Sequence, residues 1–283
     1  MNRLSTAKRV AVISALVEGC SVRSTSRLTG VAKGTILRLL ADVGRACANY
    51  QDATIRNVAA RRVQIDEIWS FVGCKKKNLT PEIIERNPNA GDAWTFVAID
   101  AETKLVLSWL VGTRDTGCAT EFMQDVAARL ANRIQLTTDG HKMYLSAVED
   151  AFGSAIDYAM LQKVYGADPQ AEKRYSPAIC TGCTVQTITG DPDPAFIGTS
   201  HIERQNLTMR MNIRRFTRLT NAFSKKIENH AHSIALFYLH YNFVRVHQAL
   251  RVTPAMEARL AQHVWSIEDI VALANKPSVS KAA

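Results

Sequence analysis

Three acidic residues stand where a hydrated divalent cation could be held. Asp66 lies inside the apolar stretch QIDEIWSF, Asp139 closes IQLTTD just before Gly140, and Glu203 opens SHIERQNLTMRMNIRRF. A carboxylate inside an apolar strand is costly without a partner or a metal. The C-terminal ends of strands in α/β sheets are where ligands usually bind, and a glutamate in a first helical turn suits the helix dipole. Converging carboxylates of this kind can hold two Mg²⁺ (or Mn²⁺) ions about 3.5–4 Å apart, one sharpening a water or a 3′-hydroxyl as nucleophile and the other stabilising the leaving oxygen. No covalent intermediate on the protein is needed. Each residue also has a plainer reading: Asp66 with Glu67 as a solvent-facing edge pair, Asp139 as part of a turn, Glu203 as a helix cap. Asp100, which ends FVAID, is explained by the turn that follows it. The order strand, strand, helix within one α/β core favours the metal site.

The charge pattern says what such a site would act on. From Arg204 to Lys226 the chain carries Arg204, Arg210, Arg214, Arg215, Arg218, Lys225 and Lys226 and no acid. Net charge is +9, and residues 1–62 hold eleven Lys/Arg against only Glu18, Asp42 and Asp52. A basic N-terminal segment ahead of a nearly neutral remainder implies a polyanionic partner, of which nucleic acid is the commonest.

The elements that must position these residues follow from periodicity. In residues 1–48, Val12, Leu16 and Val17 mark one helix, SVRSTSRLTG a short Ser-capped second ending at Gly30, and Ile36, Leu39, Leu40 and Val43 a third. This is the helix-turn-helix pattern, with Lys33, Thr35 and Arg38 on the half of the third helix that would enter the major groove. Residues 49–62 read as a connecting helix or linker. Strand-like RVQIDEIWSFVG, a hairpin turning at DAET, a helix at CATEFMQDVAARLANR, the strand IQLTTDG, a helix at HKMYLSAVEDAFG and the strand IDYAMLQKVYG then build a mixed α/β core over residues 63–250. Within it, residues 166–200 read as an irregular insertion and 201–247 as helical, and 251–283 carry short C-terminal helices and a tail.

DEIWSFVGCKKKN, TTDGHKMY, SHIERQNLTMRMNIRRFTRLTNAFSKK and HYNFVRVHQALRVTPAM resemble the transposases of the insertion-sequence-one family, within the RNase H-like DDE transposases. The resemblance covers about residues 60–258. It implies an RNase H-like mixed-sheet catalytic core behind an all-α helix-turn-helix domain. It also implies a Mg²⁺-dependent enzyme that cuts element ends and joins them to target DNA, with Asp66, Asp139 and Glu203 as catalytic metal ligands. A basic residue seven positions after the glutamate is frequent in such enzymes; here it is Arg210, on the same helix face. Founding members carry a zinc-binding module ahead of the helix-turn-helix. No Cys/His cluster stands there in this chain, so a structural zinc is not expected.

Two other readings belong to different classes: a catalytically inactive DNA-binding regulator, against which the intact acidic set argues, and an RNase H-like nuclease that cuts without joining. The remaining signals are weaker. Cys180 and Cys183 form only half of a tetrahedral zinc set, and the late histidines His230, His232, His240 and His247 suit packing or DNA contact. Tyr241, Arg245 and His247 match the residue types of tyrosine recombinases without the upstream sets those enzymes need. Lys75–Lys77 form a solvated turn or a phosphate contact. The scattered cysteines and the lack of a signal peptide or membrane-length apolar run lead to an expected cytoplasmic location. The expected partners are double-stranded DNA, as terminal repeats and target, and further copies of the chain in a dimer or larger, because two ends must be held together.

Overall fold

The computed structural model describes residues 4–166, 179–217 and 220–275. Three helices come first, α1 (Thr6–Val17), α2 (Val22–Thr29) and α3 (Lys33–Thr54). The side chains of Ser5 and Ser21 accept from the amides of Lys8 and Ser24, satisfying donors that a helix start leaves orphaned. Gly30 ends α2 at φ 70°, a conformation that glycine adopts cheaply. Val12, Ile13, Ile36, Leu40 and Val43 are buried. Past residue 48, α3 continues to Thr54, so the first part of the expected linker belongs to this helix.

Six strands form one sheet: β1 (Arg62–Val72), β2 (Gly91–Asp100), β3 (Val106–Gly112), β4 (Gln135–Asp139), β5 (Asp157–Gly166) and β6 (Ile179–Thr189). Their order is β3-β2-β1-β4-β5-β6. β2 runs antiparallel to both β1 and β3, β4 and β5 run parallel to β1, and β6 turns back against β5. The 3-2-1-4-5 order with these directions is the RNase H-like sheet. Short α4 (Pro81–Arg86) precedes β2, α5 (Thr116–Ala127) joins β3 to β4, and α6 (Met143–Phe152) joins β4 to β5.

β1 is buried on both sides, as a central strand must be. Val63 and Ile65 join the larger core with Phe96, Phe122 and Tyr144. Ile68, on the alternate face, joins Ile202, Met209, Ile234 and Tyr238. The second cluster is built by α7 (Ser200–Asn212) and α8 (Ile227–Leu239). The larger core also contains the buried residues of α1–α3, so these helices and the sheet share one apolar interior.

α3 and α8 cross closely at Gly44, where an added Cβ would come within 2.6 Å of His232 Cβ. Further along, Gln51 Nε2 donates to the Ala235 carbonyl. At the C-terminus, α9 (Pro254–Glu257) is followed by α10 (Ile267–Leu273), which opens on a Ser266–Asp269 capping box. Its end receives the Arg9 guanidinium at the Val271 carbonyl and at Asn275. Among the described residues no helix is long and apolar enough to cross a membrane.

Two expectations require correction. Residues 201–247 are not one helical run: the helix ends at Asn212, because Ile213 and Phe216 turn inward to bury in the second cluster. The chain then passes the end of β1, where Gly73 donates to the Ser224 carbonyl, before α8 begins. Residues 166–200 are not wholly irregular, since β6 lies among them. Its Thr184, Val185, Thr187 and Ile188 are good strand formers. Most of its side chains are exposed, so it lacks the alternation of polar and apolar residues that announces a strand.

Candidate active site

β1 and β4 pair only over Arg62–Gln64 and Gln135–Thr137. Extending that parallel register by two residues sets Asp66 opposite Asp139, at the residue where β4 ends. The ladder has already stopped, so the side chains beyond it are free to converge at the end of β4, while β1 runs on to Val72. Carboxylate oxygens of Asp66, Glu67 and Asp139 lie within 4.8 Å of one another. Among the described residues this is the one grouping of three or more acidic, His or Cys side chains with metal-ligand spacing.

Asp66 is gripped at both oxygens. Oδ1 accepts from the Glu67 amide at 2.8 Å, and Oδ2 from Asn206 Nδ2 at 2.8 Å. Burial pushes its pKa up to about 6, the charges of Asp139 and Glu203 add to the rise, and its two hydrogen bonds oppose it. Glu67 is no solvent-facing edge residue, for its side chain is fully buried. Burial, and then the charge of Asp139, push its pKa up to about 7, against the pull of Arg114. Arg114 Nη2 stands 3.3 Å from Glu67 and 3.4 Å from Asp139, with its guanidinium 4.7 Å over the Trp94 ring. Glu67 Oε1 and the Tyr144 hydroxyl are both buried outside normal hydrogen-bond geometry, yet close enough to shift each other's proton affinity.

Glu203 is placed one layer above. α7 crosses β1, and Gln64 Oε1 accepts the amides of His201 and Ile202 at 2.9 and 3.1 Å, anchoring the helix start. The Glu203 carboxylate accepts from Thr199 Oγ1 at 2.7 Å and from Lys163 Nζ at 2.6 Å. It is outside the 4.8 Å group, but its charge reaches Asp66. Asn206, one turn on, is the residue of α7 that touches Asp66. Its Oδ1 is buried and unpartnered, as is Glu67 Oε1. An all-oxygen donor set with two orphaned buried acceptors fits a hard divalent cation such as Mg²⁺.

Sequence reasoning missed Asn206, Gln64, Arg114 and Lys163 and undervalued Glu67. Two of these left a trace: Asn206 is three residues after Glu203, hence on its helix face, and Gln64 is two before Asp66, hence on its strand face. Arg114 and Lys163 left none, because they arrive from a distant loop and strand.

The basic residues do not share one face. Arg204 and Arg214 are exposed and Arg210 is half-buried. Arg215 donates to Ser224 Oγ at 2.9 Å, and burial lowers its pKa to about 10. Arg218 lies outside the described residues. On α3, exposed Arg38 donates to Thr35 Oγ1 at 3.3 Å, whereas Lys33 shares a face with Leu37 and Leu40 and lines a separate cleft.

The weaker signals resolve as packing. His230 bridges Ser70 Oγ and Ser224 Oγ in the interior, with its pKa lowered to about 3 by burial. Tyr241 is buried against Phe237, not free to attack a strand. Cys180 and Cys183 are exposed free thiols on β6. Lys75 covers the rings of Trp69 and Phe71.

Fold and site together define an α/β protein of RNase H-like topology with an oxygen-rich acidic centre where β4 ends beside the central strand β1. No protein-family model matches the chain, and no curated protein matches it. Solved structures do. A chain of the simian T-cell lymphotropic virus intasome in complex with PP2A regulatory subunit B56 gamma aligns over 99% of this chain and 77% of its own, at 13% identity and TM-score 0.38. The piggyBac transposase synaptic complex with hairpin DNA aligns over 95% and 69%, at 11% identity and TM-score 0.39. The Mos1 strand transfer complex aligns over 56% of this chain at 14% identity and TM-score 0.24, and the chain spans 58% of that protein's length.

Proposed function

We propose that the chain is a metal-dependent DNA transposase of the insertion-sequence-one type. It binds the ends of its element, cuts donor strands to leave 3′-hydroxyls, and joins these to target DNA. The observation that carries this reading is the convergence of Asp66, Glu67 and Asp139 oxygens where β4 ends beside the middle of the parallel strand β1. Asp66, Asp139 and Glu203 would hold Mg²⁺ or Mn²⁺, Glu203 exchanging its ion pair with Lys163 for the metal. When bound, the metal lowers the pKa of a water or 3′-hydroxyl and neutralises charge at the leaving oxygen. The protein's own groups set the stage. The Glu67 amide and Asn206 fix the Asp66 carboxylate. Arg114 offsets negative charge that would otherwise repel a phosphodiester, and Lys163 is a cation beside the site once released.

In this reading residues 1–48 recognise the element ends, with Thr35 and Arg38 on the outer face of the recognition helix and Lys33 turned to the cleft beside it, and residues 63–250 do the chemistry. Arg204, Arg210, Arg214 and Arg218 grip the backbone of the DNA being cut, whereas Arg215 is held on Ser224. The protein works as a homo-oligomer, at least a dimer, on DNA in the cytoplasm. Asp139→Asn should abolish Mg²⁺-dependent cleavage while binding to the element ends survives; cleavage at the normal rate would sink the assignment. Strand joining on a pre-cut end separates a transposase from a nuclease, which yields no joined product.

A further inference from the structure

Beside α3 lies a second feature that the acidic centre does not use. A cleft of about 700 Å³ opens between the start of α2, one face of α3 and the connection from α7 to α8. Arg23, Lys33, Arg214 and Lys225 line it, and among the described residues no acid does. Its lining also includes Leu37 and Phe223, the latter ring tilted against Phe71 at 4.9 Å between centroids. The two walls are fixed to each other. The turn after α1 approaches the end of α7 at Gly19, where an added Cβ would lie 3.2 Å from the Asn212 carbonyl. Gly44 locks α3 on α8 further back.

A positive rim over an apolar, aromatic-bearing floor is the chemistry that takes a nucleic-acid strand with its bases unpaired: phosphates meet the cations and a base meets the ring. The volume falls in the range of roughly 300–1,000 Å³ that suits small ligands, the size of one or two nucleotides and too small for a duplex. Its position suits the same strand. From Glu203 to Asn212 α7 rises about 14 Å at ~1.5 Å per residue, about four base steps at ~3.4 Å.

We infer that this cleft seats an unpaired stretch of DNA strand a few nucleotides from the scissile phosphate, with Arg23, Lys33, Arg214 and Lys225 on its phosphates and Leu37 and Phe223 under a base. The inference rests on the DNA-processing reading above and adds to it a strand-specific subsite. It predicts that the chain prefers a frayed or overhanging end to a blunt one.

The test is fluorescence anisotropy with the whole chain, at fixed salt and in EDTA so that no strand is cut. The probes are a blunt element-end duplex, the same duplex with a four-nucleotide overhang on either strand, and the overhang made abasic. An overhang should tighten binding about tenfold, in line with stacking of a base on an aromatic ring, and the abasic version should lose most of that gain. Arg23→Glu with Lys225→Glu, both exposed positions, should abolish the gain, read as the ratio of overhang to blunt affinity within that same variant. Equal binding of blunt and overhanging probes, an undiminished gain with abasic nucleotides, or a gain that survives the double charge reversal would overturn the cleft assignment while leaving the catalytic reading intact. Failure of the unaltered chain to bind any of the probes would overturn both.

Discussion

Asn206 ties the helix that carries Glu203 to the strand that carries Asp66. Replacing it with Ala removes the donor to Asp66 Oδ2 and frees that carboxylate to turn. Losing a partner that orients a metal ligand typically costs about 10–100-fold in metal affinity or activity. Asn206→Ala should therefore raise the Mg²⁺ concentration needed for half-maximal cleavage by at least about tenfold. An unchanged metal requirement would make Asn206 a packing residue only. The carboxyls of Asp66 and Glu67, raised to about 6 and about 7, make a second prediction. Both values lie above those of unfolded chains, ~3.9 and ~4.3, so the fold favours the protonated forms. The resulting stability is fully present below about pH 4 and is lost as pH rises through 6 to 7. Without divalent cation, the melting temperature should fall between pH 5 and pH 8, and Glu67→Gln should flatten that fall. Added Mg²⁺ should recover it at pH 8, because the ion binds the ionised carboxylates. A cation-free melting temperature that is level over this range would show that the acidic centre is not strained by its own charge.

The crossing of α3 and α8 fixes the N-terminal helices against the helices that flank the sheet. In an exposed helix interior, Gly→Ala stabilises by about 0.5–1 kcal/mol. At Gly44 the added methyl would meet His232 at 2.6 Å, and overpacking costs roughly 1–3 kcal/mol. Gly44→Ala should therefore lower the urea midpoint, and a raised midpoint would mean that the helices can move apart. On the outer side of α3, Arg38→Ala tests whether this helix reads bases. Binding to the terminal repeats should weaken more than binding to random DNA, since a base contact carries about 1–3 kcal/mol of discrimination. Equal losses on both would leave Arg38 as a phosphate contact. Glu203→Gln tests α7 in its own way: cleavage that persists at the normal rate would reduce Glu203 to the helix-start acid that its place in the first turn already explains.

Taken as one body, the molecule places its positive charge on two sides of a single interior. Arg23 and Lys33 of the N-terminal helices face Arg214 and Lys225 across the cleft, and the acidic centre sits at the other end of α7. Binding should thus depend steeply on salt, with log affinity falling by about 0.9 per phosphate contact for each unit of log salt. Arg214→Ala should reduce that slope by about one; an unaltered slope would place Arg214 off the DNA.

Much of this was legible beforehand. The three N-terminal helices, the hairpin, both acid-bearing strands and the helix starting near Glu203 follow from local periodicity, caps and turn chemistry, which act over a few residues. So do the identities of Asp66 and Asp139, because a carboxylate in an apolar strand is visible against its neighbours. Sequence alone did not reveal that β4 leaves β1 two residues before Asp66, that Asn206 and Gln64 bind α7 to β1, or that Arg114 enters the acidic centre. Nor did it show that Ile213 and Phe216 break the basic stretch by turning into the core, or that β6 completes the sheet. Each of these depends on contacts between residues far apart in the chain, and only the closed tertiary structure determines which distant groups meet.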